Sequence, residues 1–285
     1  MATILFDGVA YGMLLFVLAC GLAVTLGLMN FVNLAHGAFA MAGGYVTVLL
    51  MDNWDAPFLA CLPVAFALPA VIGLLLERTL YRHMYGRSHL DQVLFSIGMV
   101  FIAVAATDYF LGSSQRNIHL PDWLRGRGQV LGASVGLYRA FIIVLCGALA
   151  FGLQAGLMKT RFGSRLRASV DDARVARGLG IPVGMVFAAT FAVGSGLAGL
   201  GGALGTELLG IDPYFPLKFM IYFLIVVTVG GTSGITGPFV ASLLLGVADV
   251  MGKYYLSSAL GGFVIYVVVI VVLVLRPSGL FARAR

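Results

Sequence analysis

ILFDGVAYGMLLFVLACGLAVTLGL, Ile4 to Leu28, is an apolar run interrupted by a single charge, Asp7, near its outer end. A helix that crosses the roughly 30 Å hydrocarbon core needs about 20 mostly apolar residues, and this run supplies them. It is too long for the apolar core of a signal peptide, and Met1 to Thr3 bring no positive charge before it, so it reads as a first span. Comparable runs follow at Leu34–Met51, Phe58–Leu76, Val93–Leu111, Leu137–Met158 and Val183–Thr206, then at Phe219–Val229, Pro238–Val250 and Gly261–Leu275. Two of the last three are short for independent spans and flank a glycine-rich break, Gly230 to Pro238. Either these helices begin beyond the runs, or the hairpin enters the membrane only part-way. The expected architecture is an all-α, polytopic transmembrane helical bundle, one domain over 1–285, with eight or nine spans and a Gly-rich broken segment.

Composition agrees. Of 285 residues, 60% are hydrophobic and 11% charged, with a mean hydropathy of +1.01. A soluble domain carries about 25% charged residues, so a water-facing surface cannot be covered with this supply. Disorder and a disulfide-stapled scaffold are excluded as well. Cys20, Cys61 and Cys146 all lie in apolar runs and read as packing residues. The net charge of +6 does not indicate nucleic acid, because the basic residues form short clusters between spans rather than one stripe.

Those clusters set the orientation. The 78–92 loop holds Arg78, Arg82 and Arg87. The 159–182 loop holds Lys159, Arg161, Arg165, Arg167, Arg174 and Arg177, and the tail holds Arg276, Arg283 and Arg285. Alternation puts all three on one side, which the positive-inside rule makes cytoplasmic, C-terminus included. The opposite loops carry Asp52, Asp55, Asp122, Glu207 and Asp212. The 112–136 loop, with Arg116, Arg125 and Arg127, is forced outside by parity; it reads equally as partner-facing or simply solvated.

Glycine is abundant, at 38 residues, and much of it has small-xxx-small spacing, as in Ser195/Gly199/Ala203 and Gly201/Gly205. Such stripes let helix backbones approach closely in lipid. Packing within the chain is the main reading, with subunit dimerisation the alternative.

No enzyme constellation is present. His36, His83, His89 and His119 are scattered, without HExxH or cysteine partners at metal-ligand spacing, so neither metal nor cofactor is expected. Gly252-Lys253 lacks the earlier glycine and the following Ser or Thr of a phosphate-cradling loop. Glu77, Asp91, Asp108, Glu207 and Asp249 map to span ends, whereas ion-coupled carriers hold ionisable groups near the midplane. If transport is powered, the power comes from another subunit.

Two segments carry polar function. In Gly27 to Tyr45, Asn30, Asn33 and His36 lie three apart and on a helix would drift slowly around one face; Gly37, Gly43 and Gly44 weaken that helix and permit local unwinding. These groups either line a path for a small polar solute or cap the junction between two spans. In RFGSRLRASVDDARVARGLGIP, Ser164 is the expected N-cap of one amphipathic helix through Leu179, with Gly180 its stop and Pro182 a breaker. Leu166, Val170, Ala173 and Ala176 to Arg177 form one stripe, and Asp171, Asp172 and Arg174 oppose it. A membrane-surface helix favours a purely basic polar face, so the two aspartates favour a protein partner.

The motifs NLAHGAFAMAGGY (Asn33 to Tyr45), LLLERTLYR and LFSIG (Leu74 to Arg82, Leu94 to Gly98), RASVDDARVARGLGI (Arg167 to Ile181), GIDP (Gly210 to Pro213), GGTSGITGPFVASLLLG (Gly230 to Gly246) and LRPSGLF (Leu275 to Phe281) occur in this order. Together they resemble permease subunits of bacterial branched-chain amino acid ATP-binding cassette importers, of the smaller permease type. The resemblance covers nearly the whole chain. It implies a multi-pass inner-membrane subunit whose cytoplasmic helix couples to an ATPase, which carried over falls on Arg167 to Gly180. It implies four further partners: a second permease subunit, two ATP-binding subunits and a periplasmic substrate-binding protein. Where such permeases usually show Thr-Ile-Gly, this chain has Ser96-Ile97-Gly98, which keeps the hydroxyl on the expected path. The substrate expectation is branched-chain or other hydrophobic amino acids. Urea or short amides carried by the same machine, a stand-alone secondary carrier, and a scaffold without transport are the alternatives.

Overall fold

The computed structural model describes residues 1–29, 31–130, 133–231, 234–256 and 258–281. Asn30, Arg283 and Arg285, singled out above, lie outside the described residues. Helices α1 (Ala2–Met29), α2 (His36–Trp54), α3 (Phe58–Thr79) and α4 (His89–Leu111) precede a short helix α5 (Asp122–Arg125) and an antiparallel hairpin of β1 (Arg127–Val130) and β2 (Ala133–Gly136). Then follow α6 (Leu137–Lys159), α7 (Arg161–Asp171), α8 (Ala173–Gly178), α9 (Val183–Leu209), α10 (Phe215–Gly230), α11 (Thr236–Tyr255) and α12 (Ser258–Leu275). Among the described residues, five segments are long and apolar enough to cross a membrane: Ala2–Gly27, Phe58–Thr79, His89–Leu111, Leu137–Lys159 and Val183–Leu209.

Burial separates centre from rim. In the apolar windows of α1 and α9, 78% and 67% of residues are buried, against 17% for α4 and 11% for α6. Two central helices that are apolar all round are what a bundle core requires, and the exposed apolar faces of α4 and α6 suit lipid. Glycine permits the central packing. A Cβ on Gly43 of α2 would meet the backbone of Gly199 on α9, one on Gly202 of α9 would meet the Ala40 backbone, and one on Gly12 of α1 would lie 2.7 Å from the Ser242 carbonyl oxygen of α11. The α9 stripe is therefore consumed inside the chain. Ser195 lies against Gly73 of α3, and Gly199 against Ala65 and Pro69. The dimerisation alternative loses that face.

The glycine-rich break joins α10 to α11, and both helices extend beyond their apolar runs. At 1.5 Å per residue, α11, with 20 residues, reaches about 30 Å, and α10, with 16, only about 24 Å. Gly231 (φ +88°) and Gly279 (φ +87°) sit back to back, a contact that leaves no room for side chains. There the tail docks onto α10, with Leu280 N–H donating to the Val229 carbonyl at 2.8 Å. Thus Gly230 and Gly231, at the start of the glycine-rich break, and Gly279 to Phe281 of the tail, far apart in sequence, meet at one place, while Thr232 and Ser233 lie outside the described residues.

The 112–136 loop is ordered over its described residues. Ile118, Leu120, Leu124 and Val135 are buried, Arg116 and Ile211 exchange backbone hydrogen bonds at 2.8 and 2.9 Å, and the Arg116 guanidinium donates to the Leu111 carbonyl at 2.9 Å. All three cysteines are buried and free.

Candidate translocation path and coupling face

The α1–α2 junction differs from the helical expectation. Met29 ends α1 and His36 begins α2, so Asn33 stands on non-helical backbone and does not share a helix face with His36. The physical reason is where the donors go. Phe31 N–H donates to the Thr25 carbonyl at 3.1 Å, and Val32 N–H donates to the Gln92 Oε1 of α4 at 3.1 Å. The Gln92 amide nitrogen in turn donates to the Met84 and Arg87 carbonyls at 3.2 and 3.3 Å, so one buried side chain clamps the junction to the α3–α4 loop. Phe31 completes the clamp edge-on to Tyr81 and Tyr85, with ring centroids 5.7 and 5.4 Å away. Sequence reasoning missed Gln92; a lone amide in the first turn of an apolar run was its only signal.

The second correction concerns the glycines. Gly37, Gly43 and Gly44 do not unwind α2, which is continuous through all three. Each is a close approach: Gly37 to Pro216 of α10, Gly43 to Gly199 of α9, and Gly44 to Thr206 and Ile211. Packing supplies what glycine's poor helix propensity withholds, about 1 kcal/mol per residue.

His36 is 2% exposed, and its Nε2 lies 2.9 Å from the Leu18 carbonyl, midway along α1. A carbonyl only accepts, so Nε2 carries the proton. The ring stands edge-on to Phe223 at 6.2 Å. Asn33 is fully buried, and neither its amide nitrogen nor its amide oxygen has a hydrogen-bond partner among the described residues. Ser96 on α4 is also fully buried and donates to its own helix at the Val93 carbonyl, 3.0 Å away. The structure therefore brings Asn33, His36 and Gly37 to one junction, while Ser96 is engaged on a different helix.

The basic loop folds as two helices rather than one. Thr160, not Ser164, caps α7, its hydroxyl accepting from Gly163 N–H at 3.2 Å. Asp172 breaks the run with extended backbone (φ −151°, ψ 101°), because its carboxylate caps α8, accepting from Arg174 and Val175 N–H at 2.8 and 2.9 Å. Gly180 (φ +79°) ends α8 in a Schellman pattern: Ile181 N–H donates to the Ala176 carbonyl and Gly180 N–H to the Arg177 carbonyl, each at 3.0 Å. Leu166, Ser169 and Ala176 face inward and are buried. Asp171, Asp172 and Arg174 are exposed, together with Val175 and Leu179. Arg167 turns away from that face and donates to the Leu157 carbonyl of α6. An otherwise apolar bundle thus presents, at the end where α6 stops and α9 starts, a short pair of helices with both charge signs and the apolar side chains of Phe162, Val175 and Leu179 exposed.

Against known proteins, residues 4–273 match the family model described as branched-chain amino acid transport system / permease component. The chain is 28% identical over 294 residues to the high-affinity branched-chain amino acid transport system permease protein LivH of Escherichia coli K12, covering 98% of this chain and 94% of that one. It is 27% identical to the corresponding BraD protein of Pseudomonas aeruginosa, covering 98% and 95%. A probable LivH permease of Methanocaldococcus jannaschii is 29% identical, with 97% and 91% covered. No solved structure matches the chain.

Proposed function

The chain belongs to the permease component family of branched-chain amino acid transport systems, and we propose that it forms part of the translocation path of an ATP-driven importer for these amino acids. The observation that carries this reading is the match across nearly the whole chain, to relatives of nearly the same length named for that transport. Hydrolysis belongs to separate ATP-binding subunits, and a second permease subunit and a periplasmic binding protein complete the machine.

In this reading α1, α2, α3, α4, α6, α9, α10, α11 and α12 all enter the membrane. The end bearing α7, α8 and the docked tail is cytoplasmic, and domain 1–285 works as one unit with the 159–182 loop as its coupling element. The positive-inside rule supports that side, since Lys159, Arg161, Arg165, Arg174, Arg177 and Arg276 gather there. Asp171, Asp172, Arg174 and Gly180 belong to the coupling face, and Arg167 fastens it to α6.

The test is uptake of labelled leucine, isoleucine and valine by cells with and without the gene. Uptake is expected to depend on it, to fall with ATP depletion and to survive ionophores that collapse ion gradients. Ionophore-sensitive uptake that persists without ATP would mean a secondary carrier.

The junction around Asn33, His36 and Gly37 is the proposed path lining, while Gly43 and Gly44 are taken up by packing against α9 and Ile211, and Ser96 by its own helix. Asn33 supports this most directly, because a buried amide without partners costs about 1–3 kcal/mol unless another state of the protein or a solute satisfies it. His36→Leu is expected to leave assembly and membrane level intact while lowering uptake severalfold, the rate equivalent of about 1 kcal/mol. Unchanged uptake in that variant would reduce His36 to packing.

A further inference from the structure

Residues 31–33 owe their shape to groups outside their own segment. Phe31 N–H reaches back six residues, to the Thr25 carbonyl, where an α-helix would reach back four, and Val32 N–H leaves the segment altogether for Gln92. Gln92 stands in the first turn of α4 and is buried, and it uses both ends of its amide. Oε1 accepts from Val32, while Nε2 donates to the Met84 and Arg87 carbonyls. The two ends are not interchangeable, since a carbonyl only accepts and a backbone N–H only donates, so these partners fix the amide one way round.

A set of rings makes the same connection. Tyr81 and Tyr85 both stand edge-on to Phe31 and carry the contact on to α9, where Phe191 lies 4.8 Å from Tyr81 and Phe187 5.6 Å from Tyr85, centroid to centroid. The Tyr85 hydroxyl donates to Glu77 Oε1 at 2.9 Å, which ties the loop to the last turn of α3. Phe187 lies in the second turn of α9, the helix that α8 leads into. The 81–87 segment is thus fastened on one side to the path junction and packed on the other against the start of α9.

We propose that Gln92 is a positioning residue for transport: it fastens the backbone beside Asn33 to the 84–87 segment, so that the two move as one block and a shift of that segment, or of the start of α9, resets Asn33. Packing alone does not call for an amide here. The rings of Phe31, Tyr81 and Tyr85 already bring loop and junction into contact, and an apolar side chain could fill the same space. What the amide adds is a directional link between two backbones, with a donor and an acceptor at fixed places. The proposal rests on the reading that Asn33 lines the path, and it names what holds Asn33 there.

The experiment compares two variants with the parent, in gene-deleted cells carrying each chain and in the full-length chain purified into nanodiscs. Gln92→Met keeps the length of the side chain and removes both functions of the amide. Gln92→Glu keeps an acceptor for Val32 but, ionised, has no donor for the loop carbonyls. Leucine uptake per copy in the membrane is expected to fall roughly 10-fold in both, the order of effect of one buried hydrogen bond left unmade. Hydrogen exchange of the purified chains separates the two. The amides of 31–33 should exchange roughly 5- to 100-fold faster in Gln92→Met, where Val32 has lost its acceptor, and stay protected in Gln92→Glu. Uptake lost while Val32 remains protected means that transport uses the link to the loop and not merely a partner for one N–H. The Gln92→Met arm stands even where the buried charge of Gln92→Glu prevents folding. Parental uptake per copy in Gln92→Met, uptake that falls only as the membrane level falls, unchanged exchange at 31–33 in Gln92→Met, or full uptake in Gln92→Glu would each overturn the positioning role. Leucine uptake that needs the gene but is fully restored by Gln92→Met refutes only this role, whereas uptake indifferent to the gene refutes the transport reading itself.

Discussion

Gly43→Leu is expected to abolish recovery of a monodisperse chain from membranes, and Gly43→Ala to lower it markedly. The Cβ of either residue would be driven into the backbone of Gly199, and backbone cannot swing aside as a flexible side chain does. Overpacking a well-filled interior typically costs about 1–3 kcal/mol, and the additional atoms of leucine have no cavity to enter. Because α2 lies against the central helix α9 here, the strain separates core elements rather than deforming a rim. The controls are Gly98→Ala on α4 and Gly262→Ala on α12, where an added Cβ meets nothing within 4 Å. These should match or slightly exceed the parent, since alanine is the better helix former by about 1 kcal/mol. Fluorescence-detected size exclusion and thermal unfolding read both arms. A Gly43→Leu chain as well behaved as the controls would show that α2 and α9 can part without cost at Gly43 and Gly199.

The span pattern was legible because a bilayer leaves few options: the apolar runs Ile4–Leu28, Phe58–Leu76, Val93–Leu111, Leu137–Met158 and Val183–Thr206 each fall inside a helix of membrane-crossing length. What composition conceals is which helix is central. α1 and α6 have similar hydropathy, 2.3 and 2.2, yet 78% of one window is buried and 11% of the other. In lipid, apolar residues do not distinguish the interior from the exterior; close approach does, and it is written in glycines such as Gly12, Gly43 and Gly202.

The junction is ambiguous in sequence for a related reason. Spacing by three leaves open whether Asn33 shares a helix face with His36 or caps the junction, and Gln92, distant in sequence, decides it by taking the Val32 N–H and holding the chain open. No local pattern announces a partner on another helix. The same limit hides the meeting of the Asp7–Arg139 and Asp249–Lys253 ion pairs at one end of the bundle. Asp7 and Asp249 are one residue each in two remote runs, and only the fold brings them to one lining. The cytoplasmic loop was read better, since amphipathic periodicity and a Gly stop are local signals. Its error was local too: Asp172 was counted as surface charge, although an aspartate with two free N–H groups just beyond it is also a cap.

That dual role shapes the last prediction. Asp171→Lys combined with Asp172→Asn is expected to loosen the proposed ATP-binding subunits or to uncouple hydrolysis from transport. Reversing both charges would confuse two effects, since lysine at 172 removes the cap of α8 and costs the helix about 0.5–2 kcal/mol on its own. Asparagine keeps an oxygen for the Arg174 and Val175 N–H groups while removing the charge. Breaking a hydrogen-bonded charge pair at an interface costs about 2–5 kcal/mol, or roughly 30- to 5000-fold in affinity. Insertion of the permease should be unchanged, because Asp171 and Asp172 are exposed on a loop beyond the apolar windows. A helix resting on anionic lipid predicts the opposite sign: less negative charge would tighten its attachment and leave hydrolysis untouched. Co-purification of the ATP-binding subunits and substrate-stimulated hydrolysis, measured on the same double variant, decide between the two. Normal values for both would remove α7 and α8 from the coupling path, and the loop's mixed charge would then need a different partner.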